Sequence, residues 1–171
     1  MDRHIFLIGF MGVGKSTVAR GLSRLLHINN RDTDKMIENY EHMKISDIFD
    51  QKGEAYFREC ETRLLRHLQT REPMIIACGG GMAMRSENVA LMKECGTIVL
   101  LTARPQTILH RTIRTHKRPL LEGHKNVRDI SALMNERMPK YEAAADIKVS
   151  TDYRNTDEIC REIAEKLGLL S

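Results

Sequence analysis

No tryptophan occurs in this chain, aromatic residues make up only 5%, and the four cysteines are scattered. Cys60, Cys78, Cys95 and Cys160 form no CxxC pair, which excludes a zinc knuckle and a disulfide framework and points to reduced thiols in a cytosolic protein. No apolar run approaches the roughly 18 residues that a membrane span needs. There is no internal repeat, no low-complexity segment and no Pro/Ser-rich linker, so nothing marks a domain boundary within the 171 residues. Charge of one sign is also lacking, because 27 Lys+Arg stand against 23 Asp+Glu for a net +4. A general nucleic-acid binder carries a stronger basic excess. Arg3 and His4 before the apolar stretch 5–13 superficially suggest a signal peptide, but the glycines and Lys15 that follow fit another motif better.

What is present suits one globular domain. Hydrophobic residues reach 42%, enough for a core at this length. Apolar bursts alternate with helical periodicity, the pattern of βαβ units around a parallel sheet. Strands are expected at 5–8, 74–78, 97–101 and 147–150, with a weak one at 27–31. Helices are expected after Gly14, over 54–68, from Pro105, over 131–145 with a bend at Pro139, and over 156–167. The stretch 104–128 stands apart, with seven Lys/Arg against Glu122 alone. It reads as a basic flap for an anionic ligand.

Gly9-Phe10-Met11-Gly12-Val13-Gly14-Lys15-Ser16 fits GxxxxGK[ST] between an expected strand and an expected helix. Glycines let successive N–H groups converge on a phosphate, and the helix N-terminus adds positive potential. Lys15 is placed to reach β- and γ-phosphates and Ser16 to ligate Mg²⁺. Most P-loop enzymes hold that metal with an acid at the end of a neighbouring strand. Here run 74–78 ends in Gly79-Gly80-Gly81 and run 97–101 ends in Thr102-Ala103. Asp32 and Asp34 are the nearest acids. Two apart on an extended segment, they would face the same way, one serving Mg²⁺ through water and one orienting a substrate hydroxyl. A simple helix cap is the plainer alternative. Glu54, Arg58 and Glu61 share a helix face, either as a solvated ladder or as acids that hold Arg58 against a carboxylate. The triple glycine lies where open α/β sheets bind ligands and permits close backbone approach.

Taken in order, the motifs Gly9 to Thr17, Asp32-Thr33-Asp34, Gly53-Glu54 with Phe57-Arg58-Glu59 and Glu61, Gly79-Gly80-Gly81, Arg118-Pro119-Leu120-Leu121, and Arg137 with Pro139 and Tyr141 resemble those of shikimate kinase across nearly the whole chain. The resemblance implies a single domain, 1–171, with the P-loop kinase fold: a five-stranded parallel sheet of order 2-3-1-4-5 flanked by helices. It implies a substrate-binding subdomain at about 32–61 and a lid at about 112–124. The implied reaction moves the ATP γ-phosphate to the 3-hydroxyl of shikimate with Mg²⁺. By motif match, Gly12, Val13, Gly14, Lys15, Ser16 and Thr17 bind ATP, and Ser16 and Asp32 serve the metal. Asp34 orients the attacking hydroxyl, while Arg58, Gly80 and Arg137 take the rest of shikimate with Gly79 and Gly81 beside them. Phe49 and Phe57 line its ring, and Arg118 is the lid arginine that reaches the phosphates. Arg111 and Arg154 lie near adenine, although 152–156 matches the family loosely. A monomer that binds small molecules, without nucleic acid or membrane, is implied. A gluconate kinase of similar build usually carries a Pro-Trp pair that this chain lacks. A nucleoside monophosphate kinase needs a base-reading pocket with no clear candidate here. A non-catalytic nucleotide- or RNA-binding protein would show no phosphoryl transfer.

Overall fold

The computed structural model of the chain describes residues 2–113 and 126–170. Five strands, β1 (His4–Ile8), β2 (Asn30–Asp32), β3 (Ile75–Ala77), β4 (Gly96–Thr102) and β5 (Ile147–Ser150), form one sheet. Its order is β2-β3-β1-β4-β5 and every pairing is parallel. Eight helices lie in the described residues: α1 (Lys15–Leu26), α2 (Thr33–Glu41), α3 (Ile45–Lys52), α4 (Glu54–Leu68), α5 (Ser86–Cys95), α6 (Pro105–Ile113), α7 (Val127–Ala144) and α8 (Thr156–Lys166), with a 3₁₀ turn at Met82–Met84.

The central strands are apolar because they are covered on both faces. All five residues of β1 are buried, as are all three of β3. Ile5 lies opposite Ile75 on one side and Thr97 on the other. The middle strands are thus mostly apolar, with His4 in β1 and Thr97 and Thr102 in β4 as the polar exceptions. The order in which successive strands join the sheet reverses beside β1, with β3 on one flank and β4 on the other. Open α/β sheets place their ligand crevice at that reversal.

Two expectations shift. The weak second strand is three residues long and starts at Asn30 rather than at 27. His27 closes α1 in the left-handed conformation at φ 54°, so the chain needs residues 28 and 29 to turn into the sheet. Its polar sequence reflects its place at the sheet edge. The last long helix begins at Val127, not at 131, because Asn126 caps it by accepting from the Asp129 N–H. It continues through Pro139 to Ala144. Helix α3 and helix α5 carry no clear sequence signal. Lys44 and Arg85 occupy their N-cap positions and make no side-chain cap. None of the described helices is long and apolar enough to cross a membrane.

Candidate active site

The carboxyl ends of β1, β2 and β3 open into a cavity of about 890 Å³. From β1 the chain enters the P-loop, where Gly12 and Gly14 take φ 81° and 106°, values an L side chain resists. Lys15 Nζ donates to the carbonyls of Gly9 at 2.6 Å and Phe10 at 3.1 Å, so the loop is folded around its own cation. Val13 is buried, and its carbonyl accepts from Arg111 Nη1 at 2.8 Å and from Thr151 Oγ1 at 3.0 Å. Arg111, on α6, also reaches the Gly12 carbonyl and both oxygens of Thr151. It therefore fastens the P-loop to the segment after β5.

Asp32 performs two tasks at once. Its Oδ1 caps α2 by accepting from the N–H groups of Asp34 at 3.0 Å and Lys35 at 3.3 Å. Its Oδ2 accepts from Ser16 Oγ at 3.0 Å. The capping alternative and the metal-site alternative thus describe different oxygens of one carboxylate. The expected geometry of the acidic pair needs correcting, because Asp34 sits in the first turn of α2 and not on extended chain. The helix turn brings it over the end of β3, where Thr33 Oγ1 accepts from the Gly79 N–H at 2.9 Å. One carboxylate oxygen of Asp34, Oδ1, is buried without a hydrogen-bond partner. Burial pushes the Asp34 carboxyl above the usual range and Asp32 adds to this, while Lys15 and Arg58 oppose it.

The triple glycine serves the protein's own side chains as well as any ligand. A Cβ on Gly79 would stand 2.7 Å from Asp34 Oδ1, and one on Gly81 would overlap the Arg58 guanidinium. Gly80 has no such conflict, its nearest neighbour being Arg137 Nη1 at 3.7 Å. The outer glycines are vacancies that seat a carboxylate and a guanidinium side by side.

Arg58 is gripped by acids. Its Nη1 donates to both oxygens of Glu61 at 3.1 Å, and Nη2 to Glu54 at 3.2 Å. This is not a solvated ladder, since the Glu61 side chain is only 1% exposed. Burial raises the Glu61 carboxyl to about 7, and the Arg58 charge only partly offsets that. Phe49 and Phe57 pack with ring centroids 4.9 Å apart and form the apolar wall. Arg137 enters from α7, with its guanidinium 6.0 Å from the centroid of the Phe10 ring.

Of the expected site residues, Gly12, Gly14, Lys15, Ser16, Thr17, Asp32, Asp34, Phe49, Phe57, Arg58, Gly79, Gly80, Gly81, Arg111 and Arg137 all line this one cavity. Arg154 does not. Its guanidinium is spent on Glu162 and on the carbonyls of Ser150 and Glu158. Arg118 and most of the expected lid lie outside the described residues. Sequence reasoning gave no role to Lys44, Ile45, Ser46 and Cys78, which also line the cavity. The first three belong to α3 and its cap, the helix that lacked a signal.

No cluster of three or more His, Cys, Asp or Glu residues poised for a metal occurs among the described residues. The Ser16 hydroxyl beside the Asp32 carboxylate is nonetheless a hard oxygen pair. It suits Mg²⁺, which takes few protein ligands and completes its shell with water and phosphate.

The model of the family named Shikimate kinase matches residues 11–168. A shikimate kinase of Moorella thermoacetica is 42% identical over 167 residues, 98% of this chain and 95% of the relative. The solved shikimate kinase of Acinetobacter baumannii in complex with shikimate superposes with a TM-score of 0.89 at 32% identity, covering 96% of this chain and 92% of that one. A gluconokinase from Sinorhizobium meliloti shares the fold alone, with a TM-score of 0.59 at 18% identity. The match extends over nearly the whole chain, and this chain belongs to the shikimate kinase family, the ATP-dependent kinases of shikimate.

Proposed function

We propose that the two ends of the cavity take MgATP and shikimate, and that Asp34 stands at their junction. The observation that carries this assignment is the buried, unpartnered Asp34 Oδ1. An acceptor oxygen in that state is ready for a hydroxyl proton. Asp34 orients the 3-hydroxyl of shikimate toward the γ-phosphate and accepts its proton as the new P–O bond forms and the bond from the γ-phosphorus to the bridging oxygen breaks, with ADP as the leaving group. Arg58 and Arg137 receive the shikimate carboxylate, with Gly79, Gly80 and Gly81 at its side and Phe49 and Phe57 against the ring. Segment 32–61 acts as the substrate-binding subdomain of a single domain, and 112–124 as a lid that brings Arg118 to the phosphates.

At the other end, the N–H groups of Gly12 to Thr17 cradle the phosphates. Lys15 leaves the carbonyls of Gly9 and Phe10 for the β- and γ-oxygens. Arg111 holds the loop beneath the base, and Arg154 lies on the segment at its edge. Ser16 and Asp32 would hold Mg²⁺, which neutralises charge on the β- and γ-phosphates. The protein acts as a monomer on two small molecules in this proposal. The free cysteines, three of them buried, support a reducing, cytosolic setting. Positioning and charge neutralisation account for the chemistry, since phosphoryl transfer asks little covalent work of the protein.

The test is ADP release from MgATP with and without shikimate. Release that requires shikimate and is absent with gluconate is the expected result. A folded protein that binds ATP and shows no shikimate dependence would sink the assignment of the acceptor.

A further inference from the structure

The two arginines of the acceptor end are held by different means. Arg58 faces Glu54 and Glu61, so two carboxylates surround its charge. Arg137 pairs with no carboxylate among the described residues. Its neighbour is Tyr141, one helical turn further along α7 and therefore on the same face. Tyr141 is the largest fully buried side chain among the described residues, at 1% exposure. It does not line the cavity, so it is not placed to touch an acceptor. Its hydroxyl donates to the Gly80 carbonyl.

Gly80 sits between the two side chains. A Cβ there would lie 3.7 Å from Arg137 Nη1 and 3.8 Å from Tyr141 Oη. Burial raises the Tyr141 phenol, and the adjoining Arg137 charge opposes that rise. At neutral pH the group facing Arg137 is consequently an uncharged hydroxyl. A carboxylate in its place would orient the guanidinium equally well, but it would cancel the charge that an incoming anion needs. A neutral oxygen fixes direction and leaves the charge unspent.

We propose that Tyr141 is a positioning residue for acceptor recognition: its hydroxyl ties the middle glycine to the Arg137 face of α7 and aims the guanidinium at the carboxylate of the acceptor. On this view Arg58 is a directional hydrogen-bonding fork whose charge is already matched, and Arg137 supplies the net positive charge. The inference rests on the assignment of Arg137 to the acceptor carboxylate.

A double-mutant cycle of Tyr141→Phe and Arg137→Ala tests it, with shikimate and with its neutral carboxamide as acceptors. Tyr141→Phe is expected to raise KM for shikimate by about two- to tenfold, the loss of its hydrogen bond to the neutral Gly80 carbonyl. Its kcat should stay within about twofold, as for a contact formed equally in ground and transition states, and KM for ATP should not move. The preference for acid over amide should fall by the same factor. That ratio does not depend on how much of the variant is folded. In the Arg137→Ala background the tyrosine change should add less than about twofold. Equal loss for acid and amide, or full additivity with Arg137→Ala, would overturn the proposal and leave Tyr141 a packing residue. If Arg137→Ala itself leaves the acid-to-amide preference intact, the carboxylate assignment fails first, whatever Tyr141→Phe does.

Discussion

The proposed nucleotide end and the proposed acceptor end of the cavity hold their cations by contrasting means. At the nucleotide end the partners are mostly main-chain carbonyls: Gly9 and Phe10 for Lys15, and Gly12, Val13 and Thr151 for Arg111, with the Thr151 hydroxyl as a side-chain partner beside them. At the acceptor end they are side chains, Glu54 and Glu61 for Arg58 and, through Gly80, Tyr141 for Arg137. A site built from backbone depends on loop conformation and is indifferent to most side chains around it. It suits a ligand whose recognised part, a polyphosphate, is the same for many enzymes. A site built from side chains on three separate elements depends on each of them. It suits the ligand that distinguishes this enzyme from its fold-mates. Substitutions at the two ends should therefore fail differently.

The largest losses fall where the ends meet. Asp34→Asn replaces the basic carboxylate with a neutral amide and should lower kcat by about 10²–10⁴-fold, the range for a general base, while ATP affinity holds. Lys15→Met should lower kcat by at least about 10²–10³-fold through lost charge stabilisation. Single-turnover measurements with nucleotide titration separate the two. An Asp34→Asn enzyme of normal turnover would remove that residue from the chemistry.

The glycines give a sharper division. Gly79→Ala should displace the Asp34 carboxylate, whose Oδ1 lies 2.7 Å from the added carbon, and Gly81→Ala should displace Arg58. A shift of about 1 Å at such groups costs up to about 10²-fold. We expect Gly79→Ala to act mainly on kcat and Gly81→Ala mainly on KM for shikimate. Gly80→Ala has 3.7 Å of clearance and should fold with no steric displacement of Arg137. Equal effects of all three substitutions on both parameters would mean that the loop acts as a backbone platform and not as two seats.

This division also explains what could be read in advance. The P-loop is contiguous, so its motif and context are legible, as are the strands of the sheet interior, whose residues are mostly apolar. The acceptor end is not contiguous. The Tyr141–Gly80 bond spans 61 positions and the Thr151–Val13 bond spans 138, and neither residue advertises its role locally. Asp32 and Asp34 were legible as a pair, but their geometry was misread as extended, because Asp32 caps a helix that starts between them. Helix α3 was missed since a lysine stands at its cap. With it went Ile45 and Ser46 of the cavity wall. Family resemblance supplied the acceptor residues where residue patterns alone left Arg58 undecided between ladder and clamp.

A milder test addresses the backbone end. Thr151 Oγ1 donates to the Val13 carbonyl at 3.0 Å and is 1% exposed. Thr151→Val keeps the shape and removes the bond, worth about 0.5–1.5 kcal/mol. KM for ATP should rise by about two- to tenfold. KM for shikimate should be unaltered, and a matching rise there would mean that the two ends are not separable.

The last effect falls on stability and not on activity, and it isolates the side-chain end. Burial holds the Glu61 carboxyl at about 7 in the folded protein against an ordinary value of 4.5. Between those two values the folded state keeps a proton that the unfolded state has released. Stability from this group is therefore fully present below about pH 4.5 and is lost as pH rises through about 7. The loss is of the order of 1–3 kcal/mol, and about 2–4 °C of melting temperature accompany each kcal/mol at this chain length. Glu61→Gln cannot titrate, so its melting temperature should fall less than that of the parent between pH 5 and 8. Charges elsewhere act on both proteins alike and cancel in the difference. Parallel melting curves across that range would mean that Arg58 keeps Glu61 ionised throughout. Arg58 would then present a matched ion pair at every pH, and the contrast with Arg137 would be stronger still.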